Sequence, residues 1–165
     1  MQLVALDNIR IMAEHVSGQI DRIFLHWSAG HYGQFFDDYH INIDFDGSIY
    51  VSTFDLTEIK AHTWHQNTGA VGVALACAYD ATTNNLGPEP PTLAQLQAMA
   101  QVVKTLCDGL GIPVAFEHVR THAEQADLDD YGPASTCERW DGWFWRDGDA
   151  PGSGGEYIRQ MARGS

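Results

Sequence analysis

Apolar positions along the chain fall into a few kinds of run, and each kind predicts a different element. Ile23, Phe24 and Leu25 follow one another without a polar residue, and the run stops at His26, after which Trp27, Ser28, Ala29 and Gly30 turn the chain. A short unbroken β-forming run predicts a strand covered on both faces. It leaves His26 at the C-terminal edge, where open α/β sheets place their sites. Val71–Tyr79, small and apolar throughout, predicts a second central strand. Residues 39–45 alternate, Asp46-Gly47 interrupts, and residues 48–53 resume the β-rich pattern, so a hairpin is expected there.

Helical spacing is clearest after Thr92. Leu93, Leu96, Met99, Ala100, Val103, Leu106 and Leu110 keep a three-four period, Thr92 stands where a cap belongs and Gly111 where a stop belongs. Leu3, Leu6, Ile9, Met12, Ala13 and Val16 predict an amphipathic helix over 3–16, with Val4 and Ile11 blurring its face. Residues 112–116 read as a short strand delivering Glu117 and His118. The chain from Thr121-His122-Ala123-Glu124 to Trp145 reads as loop, and 81–91, rich in Asn, Gly and Pro, as a connection. The acidic, glycine-rich segment 146–156 is expected to be mobile, and 157–163 to form a last short helix. The whole, 1–165, is read as one α/β domain: a central mixed sheet flanked by helices, with its site at the strand ends.

Composition narrows the function. A 165-residue chain that is 44% hydrophobic suits a single domain with one core. Nine Lys and Arg against 22 Asp and Glu leave a net charge of −13, which argues against nucleic acid or an anionic membrane as partner. The N-terminus lacks a basic start followed by an apolar run, and no stretch approaches the roughly 18 apolar residues of a membrane span. Synthesis in the cytoplasm without a Sec signal is therefore expected, with no membrane insertion. Cys77, Cys107 and Cys137 are odd in number and outside any C-x-x-C pattern. Cys77 and Cys107 are read as reduced core residues.

Eight histidines are many for this length, and His26, His62 and His122 fall beside predicted strand ends. His40, His65 and His118 are read as structural, and His15 and His31 as solvent-exposed. A catalytic zinc needs three protein ligands of nitrogen, sulfur or oxygen type and an open position for water. Spacing by itself does not choose the ligands from this pool.

Five motifs taken in order do more. His26 in Ile-Phe-Leu-His-Trp-Ser-Ala, Tyr39-His40 heading the hairpin, His62 before Asn67 and Val71-Gly72-Val73, Thr121-His122-Ala123-Glu124, and Arg139-Trp140-Asp141 together resemble the type 2 N-acetylmuramoyl-L-alanine amidases. That family includes phage lysozyme-type amidases and peptidoglycan recognition proteins, and the resemblance covers about residues 20–145. It implies one Zn²⁺ held by His26, His122 and Asp141, with Cys137 as the rival third ligand. Asp141 is preferred because Arg139 supplies the basic residue two positions before it. The resemblance also implies that Tyr39 faces the developing oxyanion and that His62 and Asn67 line the substrate groove, to which Trp27 is added.

Three departures from the family pattern stand out. Ala74 replaces a glutamate that serves as base in some members, leaving Tyr39, Glu124 or the metal site to act. Arg139 replaces a lysine, and it keeps its charge to a pKa above about 12. Only 12 residues separate His26 from Tyr39, too few for a groove-flanking helix. The implied activity is hydrolysis of the lactyl amide between N-acetylmuramic acid and L-alanine of peptidoglycan by a monomer, in the manner of an endolysin released to the cell wall. A non-catalytic peptidoglycan-binding module, a cytosolic anhydro-muropeptide recycling amidase, and a zinc hydrolase of other amides are the alternatives.

Overall fold

A computed structural model of the protein describes residues 1–82, 84–135 and 140–164. Six strands form one mixed sheet in the order β1-β4-β3-β5-β2-β6. The expected central strands are β2 (Arg22–Trp27) and β5 (Ala70–Leu75), which pair in parallel with His26 opposite Ala74. β3 (Ile41–Ile43) lies parallel to β5, and β4 (Ile49–Val51) antiparallel to β3 across the Asp46-Gly47 turn. The hairpin strands are shorter than the alternating pattern suggests. β5 also stops at Leu75 rather than Tyr79, because Ala78 takes a positive φ of 67° and the chain leaves the sheet.

Strand alternation gives the sheet two unlike faces. Ile23, Leu25 and Trp27 of β2, Val71, Val73 and Leu75 of β5, and Ile41 and Ile43 of β3 join the core with residues of three helices, α1 (Leu6–His15), α2 (Leu93–Leu110) and α4 (Gly154–Arg163). Burying each such aliphatic side chain contributes roughly 1.5–3 kcal/mol. A one-residue slip of β2 would exchange this whole set for Phe24 and His26, so the register is strongly specified. Phe24, His26, Gly72 and Ala74 point to the opposite face, and that is where the chemistry gathers.

α2 has the bounds its period predicts. Thr92 Oγ1 accepts from Gln95 N (3.1 Å), Gln95 Oε1 accepts from Thr92 N (3.0 Å), and Gly111 closes the helix in the left-handed conformation. Cys77 and Cys107 are buried free thiols.

Other segments depart from the sequence reading. The first turn of the expected N-terminal helix is instead strand β1 (Gln2–Val4), antiparallel to β4, and α1 begins only at Leu6. Pairing along β4 satisfies three residues whose side chains gain little from helical packing; Leu3 is 58% exposed. The strand expected at 112–116 lies later, at β6 (Val119–Thr121), where Val119 is fully buried beside Ile23. The stretch read as loop after Thr121 contains α3 (His122–Leu128). In segment 146–156, Asp147 Oδ1 accepts from Leu86 N (3.1 Å), Gly154 O accepts from Trp145 Nε1 (2.8 Å), and the last residues begin α4.

His40 is buried and structural, as expected. Its backbone N–H donates to Gly72 O (3.0 Å), and its Nδ1 accepts from Gly72 N (3.0 Å). The proton is therefore on Nε2, which donates to Glu58 O (2.6 Å). Burial holds its pKa below the ordinary 6.5, opposed by the Glu58 carbonyl and assisted by the Lys60 charge. Well above pH 6.5 His40 is neutral whether the chain is folded or not. Below that pH the unfolded chain takes up a proton that the folded chain refuses until its lower pKa is passed. Stability therefore falls as pH falls through this window, by up to about 1.4 kcal/mol per pH unit. Urea unfolding of metal-free protein is expected to show this decline, and His40→Asn a shallower one; equal slopes would mean that His40 does not titrate in this way.

Candidate metal centre and its cleft

His26, His122 and Asp141 come from three different segments and meet on the sheet face opposite the helix layer. His26 is near the end of β2, fully buried. β6 pairs beside β2 with Thr121 opposite Leu25, so His122, the first residue of α3, emerges next to His26, and their ring centroids lie 4.8 Å apart. Asp141 arrives from a later turn. Ala123 N donates to Asp141 O (3.1 Å), and Gly142, at φ 83°, packs where a Cβ would strike the Thr121 side chain. The Asp141 carboxylate then lies 2.8 Å from His26 Nδ1 and 3.2 Å from His122 Nδ1.

Asp141 and His26 are in the ionisation states that binding a cation needs. Burial opposes the charge on Asp141, but the fields of His122 and His26 and hydrogen bonds to both outweigh it. Its carboxyl is held well below the ordinary carboxylate range. Burial lowers the pKa of His26 despite Asp141, which keeps the imidazole neutral. One ligand atom from each residue lies within 4.8 Å of the others, and the Nε2 atoms of His26 and His122 are buried without a hydrogen-bond partner. Two imidazoles and a carboxylate form the donor set of catalytic zinc sites that keep one position open. The residues present fit such an ion.

Two further side chains complete the floor. The Tyr39 ring lies 4.9 Å from that of His26. Its phenol pKa is raised by burial and then by Asp141 and Asp38, so it stays a protonated donor. His62 lies 5.4 Å from His26, over Gly72, where a Cβ would come within 2.7 Å of its ring. Burial first, then the neighbouring His26, His40 and His122, push its pKa down to about 2. It is neutral, with a buried, unpartnered Nε2.

A cleft of about 790 Å³ opens above these groups, bordered by Trp27, Tyr39, His62, Asn67, His122 and Asp141 among others. Asn67 acts on the loop itself, its Oδ1 accepting from His62 N (3.1 Å) and Thr63 N (2.8 Å). Trp27 is largely buried against Trp140, Phe144 and Trp145 and meets the cleft at its margin. Ile59 and Trp64, which none of the sequence motifs includes, stand 65% and 56% exposed on the cleft wall. Trp64 stacks on His65 at 3.7 Å and meets Tyr131 edge-on at 5.3 Å. The available signal was a large aromatic in a polar loop beside a histidine.

Glu124 requires a correction. Its carboxylate does not face the cleft: Oε1 accepts from Thr121 N (2.9 Å), and both oxygens are gripped by Arg159 at 2.9 Å. A carboxylate whose lone pairs are engaged in a helix cap and an arginine fork is not available to carry a proton to a leaving amine. Arg139 and Cys137 lie outside the described residues.

The family model described as N-acetylmuramoyl-L-alanine amidase matches residues 16–139. Comparison with curated protein sequences gives no match. Among solved structures, the chain is similar to the N-acetylmuramoyl-L-alanine amidase LysC from Clostridium intestinale URNW, at 18% identity and a TM-score of 0.47 over 64% of this chain and 72% of that one. It is also similar to PGRP-Hd from Alvinella pompejana, at 17% identity and a TM-score of 0.44 over 64% and 73%. Membership rests on the family model rather than on these distant likenesses, and because that match takes in most of the sequence, the chain belongs to the N-acetylmuramoyl-L-alanine amidase family.

Proposed function

We propose that the protein is a zinc-dependent N-acetylmuramoyl-L-alanine amidase that cleaves the lactyl amide of peptidoglycan. The observation that carries the reading is the convergence of two imidazoles, His26 and His122, and the Asp141 carboxylate at the floor of an aromatic-walled cleft. These three side chains would hold the ion. When bound, Zn²⁺ supplies Lewis acidity for the scissile carbonyl and lowers the pKa of a water to about 7.

The remaining work falls to the chain's own groups. Tyr39, kept protonated by burial, donates a hydrogen bond to the oxygen on which charge develops as the amide carbon becomes tetrahedral. His62 stays neutral and its ring forms part of the cleft floor under the substrate. Trp64 and Ile59 provide the exposed apolar wall against which substrate is held. Arg139, placed by the family resemblance two positions before Asp141, adds a permanent positive charge for the oxyanion. Trp27 and Asn67 shape the margin and the loop.

One zinc per chain is expected in protein purified without chelator, and His122→Ala should lose it; metal analysis that finds no zinc in the native chain, or full occupancy in the variant, overturns the ligand set. Tyr39→Phe should keep metal and fold but lower turnover by on the order of 10² to 10³, the cost of one oxyanion donor. An unchanged rate would make Tyr39 a packing residue. The physiological role proposed is that of an endolysin, acting as a monomer on the cell wall. Release of amino groups from purified sacculi should then exceed that from soluble anhydro-muropeptides, whereas turnover of the soluble substrate alone would assign the chain to muropeptide recycling.

A further inference from the structure

α4 lies wholly beyond residues 16–139, the span of the family match. Yet it touches both segments that carry the last two members of the donor set. On one side is the start of α3. His122 is its first residue, and Glu124 closes its capping box, with Thr121 Oγ1 accepting from Glu124 N (3.1 Å) and Glu124 Oε1 from Thr121 N (2.9 Å). Where the Glu124 carboxylate goes, the first turn of α3 and the backbone of His122 must follow.

Arg159 of α4 fixes that carboxylate. Its Nη1 and Nη2 donate to Oε1 and Oε2, each at 2.9 Å, and Nη1 also donates to Val119 O (2.9 Å) on β6. The side chain is only 4% exposed, and Nε is held by Glu156 (2.9 Å). Gly155 abuts the same carboxylate, where a Cβ would fall onto it. On the other side, Gly154 packs against the Gly142 carbonyl, its N–H donates to Trp143 O (3.2 Å), and its carbonyl accepts from Trp145 Nε1 (2.8 Å). These are the residues directly after Asp141.

A buried arginine–carboxylate pair adds little stability over an apolar one of the same size. A two-pronged fork is, however, among the most directional contacts a protein can make. We infer that α4 is a positioning element for the metal site: Arg159, acting through Glu124, and the Gly154-Gly155 start of the helix set His122 against Asp141. The inference rests on the metal reading above.

The test is metal binding, read without turnover. Glu124→Gln keeps an acceptor for the cap but loses the charged fork, and Gly155→Ala alters no charge but crowds the carboxylate. Each should weaken Zn²⁺ binding about 10- to 100-fold, as loss of groups that orient ligands does, in competition with a chromophoric chelator. Each should also change the visible absorption of the Co²⁺-substituted protein. Arg163→Gln is the control: Arg163 grips Glu156 (2.7 Å) and Val114 O (2.9 Å) on the same helix, so its loss should lower the melting temperature while leaving affinity and spectrum unchanged. Melting of the metal-free proteins establishes that each variant folds, and Arg159→Lys replaces one that does not. Wild-type affinity and spectrum in the folded variants overturn the inference alone. A wild-type protein that takes up neither ion removes the metal reading and the inference together.

Discussion

A carboxylate largely withdrawn from water beside two imidazoles is costly to desolvate unless hydrogen bonds and opposite charge offset it, and the site is built around meeting that condition at the half-buried Asp141. Its oxygens reach His26 at 2.8 Å and His122 at 3.2 Å, while its own carbonyl accepts from Ala123 N. The contact therefore ties together the end of β2, the start of α3 and the turn before Trp143. The balance of burial and pairing leaves Asp141 ionised and His26 neutral, which is the state in which the set can take a divalent cation.

The sheet makes this arrangement affordable by separating packing from chemistry. Odd-numbered residues of β2 and β5 enter the helix-covered core, and even-numbered ones point to the opposite face of the sheet, where His26 lies. On the cleft side the strands carry little bulk: Gly72 admits the His62 ring, and Ala74 stands opposite His26. The space so left holds imidazoles instead of aliphatic side chains. His40, bound to Gly72 through both backbone and ring, anchors Tyr39 beside them. Above, the loop stapled by Asn67 presents Trp64 to solvent, so an apolar wall stands over a polar floor.

Elements whose information is local were legible in the sequence. β2, β5, the Asp-Gly hairpin and α2 follow from runs, alternation and capping that neighbouring residues impose on one another, and Gly111 ends α2 where its place after Leu110 requires. The residues of the metal set could be named because a family pattern orders them along the chain. What was not legible depends on partners far away. Leu3 is a strand residue because β4 offers it hydrogen bonds, and β6 starts at Val119 because that residue fits beside Ile23. α3 has seven residues, too few to show a helical period in the sequence. Glu124 looks like a free acid in the chain and becomes a structural anion because Arg159, 35 residues later, closes on it. The sequence by itself determined which residue types stand at the strand ends and which stretches can bury apolar surface, since both depend on short-range patterns. Only the tertiary structure decided which carboxylate faces the imidazoles and which faces an arginine, because that choice is set by hydrogen bonds formed across distances along the chain that no local pattern records.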